Sequence, residues 1–272
     1  MEAQLQKRVQ RYGWDKAANY YESYWQQQLK PAQDLLLKNA AIQPGEKVLD
    51  IACGTGLVSF RAAEQAGSDG YVLATDISDR MIELATKISV AKSVKNIQFT
   101  RMDAEQLTIA DESFDVVICA LGLMYVPDPL LALNEMKRIL KPAGRIVAAV
   151  WGERDHCGWA EIFEIVDRRV SSEVCPMFFQ LGTGKRLDLY FQKAGFEKIL
   201  SERISTSLDY ASDDEACGAA FEGGPVALAY NKFTEEVKQE ARTEYIHSIK
   251  LFKKDAGFAV PGEFVVTSGV RR

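Results

Sequence analysis

The chain has 272 residues, of which 47% are hydrophobic, and its 33 Lys and Arg against 38 Asp and Glu give a net charge of −5. This length suffices for one sizeable core with an added lid and falls short of two full domains. The negative balance argues against a footprint on a phosphate backbone, so no nucleic-acid partner is expected. No apolar run approaches ~20 residues, and no basic stretch leads into an apolar core at the N-terminus, so neither a membrane span nor a secretory signal is expected.

The cysteines are odd in number and widely scattered, and no Cys-x-x-Cys pair occurs among Cys53, Cys119, Cys157, Cys175 and Cys217. This pattern indicates neither a disulfide framework nor a metal site. We therefore expect reduced thiols in a cytoplasmic protein. The sequence leaves the oligomeric state open between a monomer and a homodimer.

Residues 1–40 are predicted to be helical and carry an aromatic cluster, formed by Tyr12, Trp14, Tyr20, Tyr21, Tyr24 and Trp25. From about residue 45 to residue 150, short apolar runs alternate with stretches of helical periodicity. The runs predict five strands, at 48–52, 71–75, 97–100, 114–119 and 145–150. Strands separated by helices pair in parallel through right-handed crossovers.

The second half of the chain predicts a helix over 187–193 and two more strands, at 197–208 and 263–268. Between these strands, apolar residues recur every three or four positions from Val226 to Phe252, which predicts one amphipathic lid helix. The predicted fold class is α/β, with a doubly wound, mostly parallel, seven-stranded Rossmann-like sheet. We expect a single domain made of an N-terminal helical cap (1–40), a core (41–210), a helical lid insertion (211–257) and a final strand (258–272).

Acidic residues follow three successive predicted strands at the point where each strand ends. The first strand ends in Asp50 and runs directly into a turn that contains Gly54 and Gly56, which let the backbone turn sharply and approach a ligand closely. Asp76 and Asp103 occupy the ends of the next two strands. Ligands of open parallel sheets bind beyond the carboxyl ends of the strands. The sequence therefore predicts a binding crevice at this edge.

The residues at this edge suit the parts of a nucleoside. Asp76 lies at the spacing from the glycine turn where a carboxylate can accept hydrogen bonds from both hydroxyls of a ribose. Ile77 and Met81 can pack on an adenine face. Asp103 can accept a hydrogen bond from the exocyclic amine of adenine, and the N–H of Ala104 can serve a ring nitrogen. Together these residues predict a site for an adenosine-containing ligand.

The arrangement resembles the class I S-adenosylmethionine-dependent methyltransferases, in the branch of small-molecule enzymes that includes quinone-ring methyltransferases. The matching stretches are Val-Leu-Asp-Ile-Ala-Cys-Gly-Thr-Gly (48–56), Ala-Thr-Asp-Ile-Ser (74–78), Met-Asp-Ala-Glu (102–105), Phe-Asp-Val-Val (114–117) and Leu-Lys-Pro-Ala-Gly-Arg (140–145). The resemblance implies S-adenosylmethionine as the cofactor. It implies that the methionine part is held by Asp50, Gly54 and Gly56, the ribose by Asp76, and the adenine by Asp103 and Ala104.

One position departs from the family pattern, because Ala52 stands where the turn usually has its first glycine. We expect this change to fit with slightly less room, and Ala120, at the end of the fourth strand, to complete the cofactor site. An NAD-dependent oxidoreductase is an alternative, although the stretch from Gly54 lacks the third glycine of Gly-x-Gly-x-x-Gly and Asp50 suits a pyrophosphate poorly. A catalytically silent scaffold with the cofactor fold is another.

Methyl transfer from a sulfonium is an in-line displacement in which alignment alone can contribute roughly 7–11 kcal/mol. A base is needed only if the acceptor must lose a proton. The sequence offers His156 after the fifth strand and Tyr125 after the fourth as catalytic candidates, with His247 on the lid as a weaker one. Each has an alternative role in packing, and His156 also in capping a helix.

Aromatic residues of the N-terminal segment and of the second half are predicted to wall the acceptor pocket: Tyr20, Tyr21, Tyr24, Trp25, Phe178, Phe179, Phe221 and Tyr230. Such surfaces suit an aromatic or apolar small molecule. The Asn/Asp-Pro-Pro-Tyr/Phe motif that is typical of methyltransferases acting on base or glutamine amines is absent after the fourth strand. O- or C-methylation is therefore favoured, and the acceptor's identity stays open.

Overall fold

The computed structural model describes residues 2–170 and 178–272, so Cys175 lies outside the described residues. The strands are β1 (Lys47–Ile51), β2 (Tyr71–Asp76), β3 (Ile97–Arg101), β4 (Phe114–Ala120), β5 (Leu140–Trp151), β6 (Glu197–Tyr210), β7 (Lys253–Lys254) and β8 (Gly257–Val270). The central sheet has the strand order β3-β2-β1-β4-β5-β8-β6, and the short strand β7 pairs only with β8.

The strands from β1 to β5 are parallel, whereas β8 runs antiparallel to both β5 and β6. Val116, Val117 and Ile118 of β4 are fully buried, as a central parallel strand covered on both faces requires. The mostly parallel, seven-stranded path confirms the predicted fold class. The helices are α1 (Ala3–Ala40), α2 (Ser59–Ala66), α3 (Asp79–Ala91), α4 (Pro129–Ile139), α5 (Glu161–Asp167), α6 (Arg186–Lys193), α7 (Asp213–Cys217), α8 (Ala227–Tyr230) and α9 (Glu235–Ser248).

The helix α1 joins the N-terminal segment to the rest of the protein. It buries an apolar stripe that includes Trp25, Leu29 and Leu36, and it packs against α3, α8 and β5. At its C-terminal end the guanidinium of Arg145 donates to the carbonyl oxygens of the last helical turn and pairs with Glu46 at 2.6 Å. This anchor fixes the direction of α1, whose first half crosses the carboxyl edge of the sheet.

The prediction of one lid helix from Val226 to Phe252 is wrong, because α8 ends at Tyr230 and α9 begins only at Glu235. The hydroxyl of Thr234 accepts a hydrogen bond from the N–H of Val237 at 3.4 Å and so caps α9. A threonine followed by two acidic residues is a helix start signal that the apolar periodicity obscured.

In the described ranges, no helix is both long and apolar enough to cross a bilayer. The same residues contain no group of three or more His, Cys, Asp or Glu side chains that could hold a metal ion. The four described cysteines are buried free thiols: Cys53, Cys119, Cys157 and Cys217.

Candidate functional site

A pocket opens at the carboxyl ends of β1, β2 and β4, where the strand order reverses direction around β1. We name it the strand-end pocket. It contains about 760 Å³ of space, including its open mouth. Most of the expected cofactor-binding residues line it, namely Ala52, Gly54, Asp76, Ile77, Met81, Asp103, Ala104 and Ala120.

Asp76 is the last residue of β2, and its carboxylate braces the glycine turn. One oxygen accepts a hydrogen bond from the N–H of Gly54 and the other from the N–H of Ser78, both at 2.9 Å. The residue is only 7% exposed, and burial raises the pKa of Asp76 to about 6 despite these two donors. Each carboxylate oxygen keeps capacity for a further hydrogen bond. Asp76 can therefore hold the turn and a ligand hydroxyl together.

Asp50 lies beneath the turn and does not line the strand-end pocket. The hydroxyl of Ser59, at the start of α2, donates to its Oδ2 at 2.5 Å, whereas its Oδ1 has no partner among the described residues. Burial, to which the charge of Asp76 adds, raises the pKa of Asp50 to about 7. The structure thus shows Asp50 tying β1 to α2, and its expected part in holding the methionine portion of the cofactor stays a prediction.

The turn after β1 accommodates Ala52 because of a glycine elsewhere in the chain. Ala52 adopts a left-handed φ of 57°, which side chains rarely tolerate. A Cβ atom on Gly122, in the loop after β4, would lie 2.2 Å from the Cβ of Ala52. Gly122 therefore supplies the room that a glycine at position 52 would have given. Gly56 does not line the strand-end pocket and closes the turn at a φ of 93°, its N–H donating to the carbonyl of Cys53.

The first half of α1 forms a wall of the strand-end pocket that the sequence did not predict as part of the cofactor site. Lys7, Gln10, Trp14 and Tyr21 line the pocket from this side. The ammonium of Lys7 lies 2.7 Å from Asp103 and 2.6 Å from a carboxylate oxygen of Glu105.

Burial alone would lower the pKa of Lys7, but its hydrogen bonds to Asp103 and Glu105 outweigh burial and raise it. Lys7 therefore stays charged and ties α1 to the end of β3. No local pattern in the sequence signals this pair, because its partners lie almost a hundred residues away. The aromatic cluster did signal that Trp14 and Tyr21 belong to a ligand-facing helix.

A second cavity, which we name the aromatic cavity, adjoins the strand-end pocket. The two share Trp14, Tyr21, Leu121 and Tyr125 as walls. The aromatic cavity contains about 330 Å³ of space, including its open mouth, and has Trp25, Trp151, Trp159 and Phe178 among its other walls. None of the described side chains that line it is charged.

Of the eight predicted acceptor-pocket residues, the structure brings three into the aromatic cavity: Tyr21, Trp25 and Phe178. Phe179 packs against Trp159 and Phe163, and Tyr20 is exposed. Phe221 and Tyr230 stack on each other with ring centroids 4.7 Å apart, and Tyr24 covers Gly218. These last three side chains pack where the α7 and α8 segments meet α1, and they do not line the cavity.

The catalytic candidates occupy different places. Tyr125 lines both cavities, with its ring edge-on to Trp14 at 5.2 Å and to Phe178 at 5.4 Å. His156 lines neither, and its Nδ1 lies 2.9 Å from a carboxylate oxygen of Glu263. Glu263 in turn pairs with Arg203 at 2.7 Å. A catalytic role for His156 stays a prediction that this geometry does not support.

His247 lies on α9 beside an outer groove that is lined by Glu236, Glu240 and Glu244. It lines neither the strand-end pocket nor the aromatic cavity. The structure therefore leaves Tyr125 as the one catalytic candidate, among these three described residues, that contacts the site.

Comparison with known proteins decides the family. Residues 42–173 match the family model described as a methyltransferase domain. The chain is 33% identical over 177 residues to the demethylmenaquinone methyltransferase of Listeria monocytogenes serotype 4a (strain HCC23), covering 60% of this chain and 75% of that protein. The chain belongs to the class I S-adenosylmethionine-dependent methyltransferases.

Another relative carries the same name, and two solved structures share the fold. The demethylmenaquinone methyltransferase of Staphylococcus aureus (strain MRSA252) is 38% identical over 112 residues, 41% of this chain and 46% of that protein. The YcgJ protein of Bacillus subtilis shares the fold with a TM-score of 0.63 at 16% identity, over 89% of this chain and 99% of that one. The Haemonchus contortus phosphoethanolamine N-methyltransferase 2 in complex with S-adenosyl-L-methionine also shares the fold. Its TM-score is 0.62 at 16% identity, over 94% of this chain and 57% of that one.

Membership of this family makes S-adenosylmethionine the cofactor of the methyltransferase and decides against the NAD-dependent oxidoreductase and the silent scaffold. The residues present fit this cofactor. The buried carboxylates of Asp50 and Asp76 carry raised pKa values, so a cation nearby would stabilise their charged forms. The orphaned Oδ1 of Asp50 is a further acceptor, although it is buried beneath the turn and outside the pocket lining.

Proposed function

We propose that the methyltransferase acts on a small aromatic acceptor of the quinol class and methylates a ring carbon or a ring oxygen. The observation that carries this proposal is the aromatic cavity, which shares four walls with the strand-end pocket and whose described lining bears no charge. Flat apolar walls suit a flat apolar ring. The names of the Listeria and Staphylococcus relatives, which are demethylmenaquinone methyltransferases, support the same class of acceptor.

The proposal assigns the cofactor to the strand-end pocket. The oxygens of Asp76, which already accept from two backbone N–H groups, would take the ribose hydroxyls. Asp103 and the N–H of Ala104 would take the adenine edge, with Ile77 and Met81 against its face. When bound there, S-adenosylmethionine supplies an electrophilic methyl group on a sulfonium.

The protein's own contribution is alignment and the exclusion of water. The edge-on contacts that join Tyr125 to Trp14 and Phe178 fix the wall between the two cavities, where the methyl group and acceptor would meet. Orientation of this kind can contribute roughly 7–11 kcal/mol to a displacement. The shared wall therefore serves as the positioning surface of the reaction.

No His or carboxylate is among the described residues that line the aromatic cavity. Burial, together with the charges of Asp76 and Asp50, raises the pKa of Tyr21, so this phenol stays protonated at neutral pH. Tyr21 can donate a hydrogen bond to an acceptor oxygen and cannot serve as a base. A quinol suits such a site because it can bind as the phenolate, having released its phenolic proton to solvent water beforehand.

A methyl-transfer assay tests the proposal. The protein is incubated with S-adenosylmethionine labelled in the methyl group and with either 1,4-dihydroxynaphthalene or phosphoethanolamine, under reducing, oxygen-free conditions. We expect label in the naphthalene product and none in phosphoethanolamine, because the described lining of the aromatic cavity offers no cationic side chain to offset the charge of a phosphate. The Asp76→Asn variant serves as the control for cofactor dependence. Transfer to the amine alone, or to neither acceptor, would contradict the proposed function.

A further inference from the structure

Two buried hydrogen-bond donors in the wall of the aromatic cavity lack partners. Trp25 is 5% exposed and Trp159 is 3% exposed, and both line the cavity. Neither indole N–H finds a hydrogen-bond partner in the part of the chain that the structure describes. Buried polar groups are nearly always paired, so two orphaned donors in one cavity require an explanation.

Both indole rings are held rigidly by their neighbours. The rings of Trp25 and Trp159 lie 6.2 Å apart, and each also contacts Trp151, at 6.1 Å and 4.7 Å. Phe178 packs edge-on against Trp159 at 5.5 Å. Rings packed in this way keep their N–H groups in place before any ligand arrives.

The N–H edge of Trp25 lies beside a chain segment that also lines the aromatic cavity. A Cβ atom on Gly223 would be 3.3 Å from the Nε1 of Trp25. The next two residues, Gly224 and Pro225, are part of the cavity wall. The absence of a side chain at Gly223 therefore leaves this buried N–H directly beside the segment that lines the cavity.

We propose that the indole N–H groups of Trp25 and Trp159 bind oxygen atoms of the methyl acceptor. An indole N–H donates and never accepts, so its partner must be a hydrogen-bond acceptor, and a hydroxyl, carbonyl or phenolate oxygen on an aromatic ring meets this need. An ammonium group cannot fill this place. The two donors, set in apolar walls, select an aromatic ring that carries oxygen, since a site that hydrogen-bonds a substrate oxygen rejects the analogue without it.

That the bound ring is the methyl acceptor rests on the proposed function, whereas the binding of oxygen by the two indoles can be measured without turnover. The protein, saturated with S-adenosylhomocysteine, is titrated by calorimetry with 1,4-dihydroxynaphthalene, 1-naphthol and naphthalene. The three probes have the same ring system and carry two, one and no oxygen. We expect each lost oxygen to weaken binding by about five- to tenfold, as the loss of one hydrogen bond does.

The variants Trp25→Phe and Trp159→Phe remove one donor each and keep an aromatic ring. We expect each single variant to bind 1,4-dihydroxynaphthalene about five- to tenfold more weakly and naphthalene within about threefold of the wild type. In the double variant the three probes should bind alike. Trp151→Phe is the matched control, because Trp151 lines the same cavity but its N–H is not one of the orphaned donors in the described chain. It should keep the gradient.

The inference is overturned if the double variant keeps the wild-type gradient, or if the wild type binds the three probes equally or not at all. Unchanged affinity for S-adenosylhomocysteine shows that a variant is folded, and should the double variant fail this check, the single variants decide. Methyl transfer is scored separately. A gradient that depends on the two indoles, found together with no transfer of label, would sustain the inference and refute the proposed quinol methylation.

Discussion

Asp76→Asn tests how the glycine turn and the ligand share one carboxylate. In the wild type each oxygen of Asp76 accepts a backbone N–H, one from Gly54 and one from Ser78. A side-chain amide has only one oxygen, so in either orientation its NH₂ group faces one of these two donors. The variant must therefore lose one brace of the turn and part of its capacity for ribose hydroxyls.

The magnitudes separate affinity from stability. A hydrogen bond to a charged group contributes about 1.5–3 kcal/mol, so losing one ribose contact and weakening the other costs about 3 kcal/mol, or about 100-fold in affinity. The backbone N–H that faces the side-chain NH₂ group in the variant loses its acceptor, which costs about 1–3 kcal/mol of folding free energy. Burial has raised the pKa of Asp76 from 3.8 to about 6, so removing its charge at pH 7.5 returns roughly 3 kcal/mol. These two stability effects nearly cancel.

We therefore expect the Kd for S-adenosylhomocysteine, measured by calorimetry at pH 7.5, to rise about 100-fold while the melting temperature changes little. Asp115→Asn is the matched control, since Asp115 accepts the N–H of Lys47 at 2.9 Å near the start of β1, at the opposite edge of the sheet. Its Kd should stay within about threefold of the wild type. A folded Asp76→Asn variant that binds as well as the wild type would refute the reasoning.

Three further predictions follow from the geometry of the site. The folded pKa of Asp50, about 7, lies above its unfolded value of 3.8, so the folded state holds this proton more tightly. Asp76, whose pKa is raised to about 6, adds to the loss of stability over the same pH range. Chemical unfolding should therefore show stability falling from pH 5.5 to pH 7.5 by about 2 kcal/mol more in the wild type than in Asp50→Asn; an equal fall in the two proteins would contradict this. Gly122→Ala should destabilise the protein by about 1–3 kcal/mol through overpacking against Ala52. The same substitution should cost clearly less in the Ala52→Gly background, and additive effects in this double-mutant cycle would argue against the contact. Lys7→Met removes the ion pair with Asp103. A loss of about 1 kcal/mol in local stability should quicken amide hydrogen exchange in the first three turns of α1 about fivefold. Unchanged exchange would show that the pair does not hold the helix.

The strand ends were predictable because they depend on local pattern and on one general property of parallel sheets. Short apolar runs mark the strands, and consecutive parallel strands present their carboxyl ends at one edge. Asp76 and Asp103 were accordingly expected at one site, and both line the strand-end pocket. Asp50 was expected beside them, but its side chain turns towards Ser59 and the interior, which no spacing in the sequence reveals.

The features that escaped prediction depend on contacts between distant parts of the chain. Lys7 reaches the end of β3 only because α1 crosses the sheet. The tolerance of alanine at position 52 requires Gly122, seventy residues later. The break before α9 is the exception, because it depends on a local competition in which the capping hydroxyl of Thr234 prevails over a continuous apolar stripe.

The most direct test of the account is a crystal structure of the protein with S-adenosylhomocysteine and 1,4-dihydroxynaphthalene bound together. The account predicts the ribose hydroxyls on the carboxylate of Asp76 and the ring in the aromatic cavity, with its oxygens within about 3.2 Å of the N–H groups of Trp25 and Trp159. A nucleoside bound away from Asp76, or a ring seated outside the aromatic cavity, would contradict it.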